Sequence, residues 1–392
     1  MENTAYLQNV QNLRKNIYKT NFNEIENMGL LGTYLMVSAN LLAYLPEFSN
    51  DDQYRIIQDI QFHRALSNVD QHYLSLLNEV KIIDKSNILE NSRYNSHIFV
   101  TYHTGSYRMF IQHLIKEKIP FCLVTEERFK KEQGEVAQKI FREIRENQNE
   151  DLEILIAENP RLIFELISRL KNGISVVFYI DGNTGVTEKK LDDNKNLLRI
   201  NFLSHHIYAR QGIALLAYLS KSPLAIAIAK RNKNLSNTIQ IKPVPTIGMM
   251  KKYNRNDFTK NITQKLYREL ENFLKKSPEQ WEGWFYIDKF FQMDNVFNEF
   301  IKPTEALEFS MPVTLVLDQF AHLSNLDGEN CFLITRRNFQ IMKITKPLFE
   351  VLNFFKAPRQ IILNKRLLIN NQEIDKEFLI DLIELKFLKE VQ

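Results

Sequence analysis

Cysteine is nearly absent from this chain of 392 residues. Cys122 and Cys331 lie far apart with no paired spacing, which excludes a disulfide framework and a zinc knuckle and fits a reducing cytoplasm. No basic stretch followed by an apolar core opens the sequence at Met1-Glu2-Asn3-Thr4, so no secretory signal is expected. Long hydrophobic runs are missing as well. The most apolar early run, Met28 to Leu45, is interrupted by Gly32, Ser38 and Asn40 and reads as a core or interfacial helix, too short and polar to span a membrane. Internal repeats and low-complexity tracts are absent. Acidic residues are missing from 194–256, where eleven Lys and Arg stand alone, leaving 40 basic against 47 acidic residues elsewhere. Such a stretch suits an anionic partner: phospholipid headgroups, an acidic carrier protein or a nucleic acid. A helix surface that merely lacks acids fits equally. Zinc-finger, RNA-recognition and basic-zipper patterns are lacking, which argues against nucleic acid.

What is present is the composition of a soluble globular protein, 44% hydrophobic and 25% charged, long enough for one large domain and a smaller one. Residues 1–95 read as helical and packed on a core. Asp51-Asp52 can cap a segment through Leu77 whose apolar positions Ile56, Ile57, Ile60 and Phe62 favour a helix, with His63 and His72 as surface side chains. From 96 to 300, short apolar runs alternate with helices. Strands are expected at Ile98–Tyr102, Pro120–Thr125, Glu153–Ile156, Ser175–Ile180 and Pro223–Ala229. Helices are expected at Tyr107–Lys118, Glu126–Asn147, Pro160–Lys171 and Asp257–Lys275, with another ending at Ser220 after the Ile200–His206 stretch. The alternation predicts an α/β domain with a largely parallel sheet, whose ligands sit at the carboxyl ends of strands. After a linker near Phe300–Pro303, residues 301–392 read as a small α+β unit: strands at Thr314–Gln319 and Cys331–Ile334, helices at Pro347–Phe355 and Lys376–Leu385, and a terminal apolar strand.

Two polar clusters fall at expected strand ends. Ile98-Phe99-Val100-Thr101-Tyr102 delivers His103 into the turn Thr104-Gly105-Ser106, just before a helix, which is how a general base is placed at a sheet edge. Asp181-Gly182-Asn183 follows another strand and reads equally as an Asx turn. His205 and His206 resemble a metal pair, yet neighbours on an extended segment face opposite sides, and no metal site is expected.

Taken together, the chain from about Asn23 to Gln292 resembles the lysophospholipid acyltransferase superfamily, most closely its bacterial lipid A late acyltransferases. His103 lies where that family has its His-x4-acid motif. Arg169-Leu170-Lys171-Asn172-Gly173 and Val176 to Asp181 are similar to its "helix, Lys-Lys-Gly, strand, Pro-Asp" block. Phe202 through Pro223 and Pro278-Glu279-Gln280-Trp281 supply two further blocks in order. The resemblance implies an acyltransferase with the acyl thioester of a carrier protein or coenzyme A as co-substrate and no other cofactor. It further implies His103 as base on an acceptor hydroxyl or amine, and a basic approach surface for the carrier.

The motif acid is replaced by Arg108. Three readings stay open: Asp181 supplies the missing carboxylate; the chain is a retired relative that binds a carrier, lipid or peptide without turnover; or Arg108 clamps an anionic acceptor. Ser106, Asn183 and Arg161 are further candidates for substrate contact. Residues Ile344 to Leu352 and Glu377 to Ile383 resemble small winged-helix domains that recognise leader peptides, which implies an acceptor delivered on a peptide or carrier; the acceptor expected of the whole chain is a lipid or a peptide. The expected location is the cytoplasm, with peripheral contact to the inner face of the membrane through the basic 194–256 segment.

Overall fold

The computed structural model describes residues 2–19, 28–48, 50–182, 197–287, 312–326, 328–336, 340–362, 366–370 and 372–391. Three helices come first: α1 (Glu2–Tyr18), α2 (Met28–Tyr44) and α3 (Asn50–Asp70). Residues 1–95 are not wholly helical, however, because β1 (Lys81–Asp84) is a strand of the main sheet. Four residues are too few to display a period, and the partner of β1 lies more than 150 residues downstream, at Thr238–Ile241. A one-turn helix α4 (Ile88–Asn91) follows, and then β2 (Ile98–Thr101), all of whose residues are buried.

The expected alternation continues: α5 (Arg108–Lys116), β3 (Phe121–Thr125), α6 (Glu127–Arg145), β4 (Ile154–Ile156), α7 (Leu162–Lys171) and β5 (Ser175–Tyr179). The Ile200–His206 stretch forms an antiparallel hairpin, β6 (Leu197–Phe202) with β7 (His205–Arg210), before α8 (Gly212–Ser220). Next come β8 (Leu224–Arg231) and β9 (Asn237–Val244), then α9 (Thr246–Lys252) and α10 (Arg255–Leu274).

Seven strands form one mixed sheet in the order β1-β9-β8-β2-β5-β3-β4. The strands β8, β2, β5, β3 and β4 run parallel, and β9 with β1 runs against them. Parallel strands buried on both faces read as continuous apolar runs, as Ile98–Val100 and Val176–Val177 do. The core of this layer includes Phe99, Phe110, Leu114, Val177, Ala225 and Ile239. The β2/β5 register pairs Thr101 with Tyr179, so each chain leaves the sheet at the same level.

The described chain divides into two compact units, residues 1–20 with 50–290 and residues 21–49 with 291–392. The sequence reading keeps 21–49 with the amino-terminal helices; the packing groups them with the carboxyl-terminal unit. In that second unit α2 packs on two strands of a three-stranded antiparallel meander, β11 (Ala321–Asn325), β12 (Cys331–Thr335) and β13 (Gln340–Ile344). The remaining strands are β10 (Pro312–Leu317), β14 (Arg359–Ile362), β15 (Leu367–Ile369), β16 (Gln372–Ile374) and β17 (Leu388–Glu390). Helices α11 (Lys346–Phe354) and α12 (Lys376–Glu384) are capped by the Thr345 and Asp375 side chains. Among the described residues no helix is long and apolar enough to cross a membrane.

Candidate active site

His103 and Asp181 each stand two residues beyond the paired ends of β2 and β5, and the parallel register brings them face to face. His103 Nδ1 lies 2.8 Å from Asp181 Oδ1. The carboxylate is buried and accepts two further donors: the backbone N–H of His103, at 3.0 Å to Oδ2, and Trp281 Nε1, at 2.7 Å. A carboxylate that accepts from Nδ1 fixes the proton there and leaves Nε2 as the ring's basic nitrogen. The ring is edge-on to Tyr107, centroids 4.7 Å apart, and tilted on Tyr179 at 4.8 Å, with 20% of its side chain exposed.

The turn that carries His103 is pinned from two sides. Thr104 Oγ1 donates to the Ala229 carbonyl at 2.9 Å, Gly105 N–H to the Gln280 carbonyl at 2.8 Å, and Glu282 N–H to the His103 carbonyl at 3.0 Å. Gln280 in turn exchanges two 2.8 Å bonds with the backbone of Arg231. The Pro278–Trp281 block therefore serves as a clamp on the turn, a role its sequence alone does not disclose.

Charge around His103 is mixed. Burial lowers its pKa, but the Asp181 charge and hydrogen bond, with Glu282 adding, outweigh burial and Arg108, so the group is held above its ordinary value. For a phenol burial acts in the opposite direction and pushes the Tyr107 hydroxyl well up, with Arg108 opposing and Glu282 adding to the shift. Glu282 pairs with Arg64 at 3.4 Å, and Arg64 stacks on Phe285 at 4.4 Å.

Arg108, the first residue of α5, is half-buried, lies 4.5 Å over the Tyr107 ring and donates to Ser67 at 3.4 Å. Among the described residues no carboxylate pairs with it. Ser106 is buried, its hydroxyl donating to Asp70 while accepting from Arg231. Arg161 is exposed beside edge strand β4, three strands from β2, or about 14 Å at ordinary strand spacing. Asn183 lies outside the described residues.

His63 is not a surface side chain, contrary to the expectation from its polar neighbours. It falls on the α3 face that carries Ile56, Ile60 and Asp70, a three-and-four spacing legible in the sequence, and its Nδ1 contacts Arg231 Nη1 at 2.8 Å. A cleft is lined by His63, Arg64 and Ser67 from α3 and by His103, Tyr107 and Trp281 opposite. Of the acid-free stretch, Arg231 is buried against Asp70 and Lys242 pairs with Glu269, whereas Arg199, Lys221, Lys230, Lys233, Lys251 and Lys252 are exposed. His205 and His206 sit on β7 opposite Phe202 and Asn201.

A family model described as bacterial lipid A biosynthesis acyltransferase matches residues 32–291. No curated protein matches the chain.

Proposed function

Because the chain belongs to the bacterial lipid A biosynthesis acyltransferase family and is an enzyme that transfers acyl groups, we propose that it moves an acyl chain from a carrier-protein or coenzyme A thioester to an acceptor hydroxyl or amine, with His103 as general base. The observation that carries this reading is the 2.8 Å His103–Asp181 contact, in which a buried carboxylate orients the imidazole in place of the acid displaced by Arg108.

In this mechanism His103 Nε2 takes the acceptor's proton as the acceptor attacks the thioester carbonyl carbon. The carbonyl electrons move to oxygen, the tetrahedral intermediate collapses, the C–S bond breaks, and the thiolate leaves with the proton returned by His103. The products are an acylated acceptor and a free thiol. Arg108 binds an anionic group of the acceptor, a phosphate or a carboxylate, since its guanidinium sits on an aromatic ring and, among the described residues, has no carboxylate partner. The acceptor is a lipid or a peptide, and the exposed cations of 199–252 receive an acidic carrier or the inner face of the cytoplasmic membrane.

Incubation with acyl-carrier thioesters, followed by intact mass, tests the reading. The wild type should discharge the thioester and His103→Ala should lose roughly two to four orders of magnitude in rate. Undiminished transfer by His103→Ala would overturn it. Saturable thioester binding without discharge would favour the second reading, a binding relative, which draws on the arginine at the position of the motif acid.

A further inference from the structure

The intermediate of such a transfer carries an oxyanion, which needs a hydrogen-bond donor preorganised in the site. The catalytic turn has none to spare at its leading amides. His103 N–H is given to Asp181, Thr104 N–H to the Tyr102 carbonyl at 2.8 Å and Gly105 N–H to the Gln280 carbonyl. Trp281 Nε1 is given to Asp181 and the Gln280 amide to the Arg231 carbonyl. Facing these groups across the cleft, α3 presents His63, Arg64 and Ser67. Arg64 is held by Glu282 and Phe285, and the Ser67 hydroxyl, which accepts from Arg108, rotates freely about its own C–O bond; of the three, His63 has the donor fixed in place by its surroundings.

His63 is in a defined state. A guanidinium can only donate, so the Nδ1 atom 2.8 Å from Arg231 accepts, and the ring proton resides on Nε2. Burial, assisted by the charges of Arg231 and Arg14, brings the His63 pKa down to about 3, so the ring is neutral at any working pH. Arg231 is itself immobilised by Asp70 and Ser106, which makes the tautomer a property of the buried core. Among the described residues, Nε2–H of His63 has no partner.

We propose that His63 is the oxyanion donor of this enzyme: its Nε2–H hydrogen-bonds the thioester carbonyl oxygen as that oxygen becomes negative, while His103 takes the acceptor's proton. His63 keeps its proton from start to finish, so the atoms and electrons balance as in the step above. The proposal rests on the acyl-transfer reading and adds a catalytic residue to it.

The test uses the full chain, acyl-carrier thioesters of graded chain length, and thiol release as the readout. His63→Leu should lower kcat by roughly 10²–10³-fold, with the acid limb of the pH profile unmoved because that limb belongs to His103. His63→Gln, which can accept from Arg231 and donate into the cleft, should recover at least about tenfold of that loss. An active wild type whose His63→Leu variant retains full kcat overturns the assignment of His63 alone. The same holds if His63→Gln is as slow as His63→Leu while melting like the wild type, because the ring is then structural. A wild type that binds the thioesters and releases no thiol overturns the acyl-transfer reading and this proposal with it.

Discussion

The protonation of His103 is contested by groups of opposite sign: Asp181 and Glu282 favour the imidazolium, and burial and Arg108 oppose it. A base must be deprotonated to act, so the acid limb of kcat/KM should lie above pH 6.5, the ordinary histidine value. Glu282→Gln removes a charge that raises the pKa and should move that limb to lower pH. Arg108→Met removes a charge that lowers it and should move the limb to higher pH. A kcat/KM profile of the three proteins checks both directions. Linkage gives a second readout: with the folded pKa raised, His103 contributes stability that is present below about pH 6.5 and fades as pH climbs through the elevated value. At this scale the sequence disclosed His103 and Asp181, because both follow apolar runs. It could not disclose that they meet, which depends on β2 and β5 being neighbours in register. His63 was hidden by its polar sequence neighbours, although its three-and-four spacing from Ile60 and Ile56 places it on a buried helix face.

Elements are fitted tightly where the turn passes β8. Gly105 has a φ of +52°, and a Cβ there would lie 3.0 Å from the Ala229 carbonyl oxygen and 3.1 Å from the Arg231 nitrogen, both backbone atoms that cannot swing away. Gly105→Ala should cost about 1–3 kcal/mol in denaturant unfolding and reduce turnover, since the same turn carries His103. At Gly283 the obstacle is a side chain: a Cβ would fall 2.1 Å from the Trp281 ring, the ring that donates to Asp181. Gly283→Ala should therefore impair catalysis by shifting Trp281. Kinetics and melting measured together on that variant show whether the loss follows the site or the fold. The five parallel strands were readable as apolar runs between helices. The two strands that run against them were not: β1 is very short, and β9 carries a clear alternation of buried and half-buried residues that a search for continuous apolar runs passes over.

At the scale of the first unit, one buried ion pair ties distant parts of the chain. Asp70, at the end of α3, pairs with Arg231 at the end of β8, and Tyr6 of α1 and Ser106 of the catalytic turn both donate to the same carboxylate. Both charges are almost fully buried. Removing one partner strands the other without solvent, so Arg231→Met should cost about 3–5 kcal/mol, and Asp70→Leu combined with Arg231→Met should cost less than the sum of the single changes. Denaturant unfolding of the two single variants and the double variant measures the coupling. None of this was legible in the sequence, where Arg231 counted as one more cation of an acid-free stretch.

The division into two units also gives this chain a timetable. Helix α2 ends at residue 44, and the strands it packs on begin at residue 321. At roughly 5–20 residues per second of synthesis, that interval is on the order of tens of seconds. Throughout it Leu31, Leu35 and Leu41 are already made, while most of the unit that encloses them is still message. The nascent chain thus carries an apolar helix that waits for its partner strands while the residues of the entire α/β sheet are synthesised.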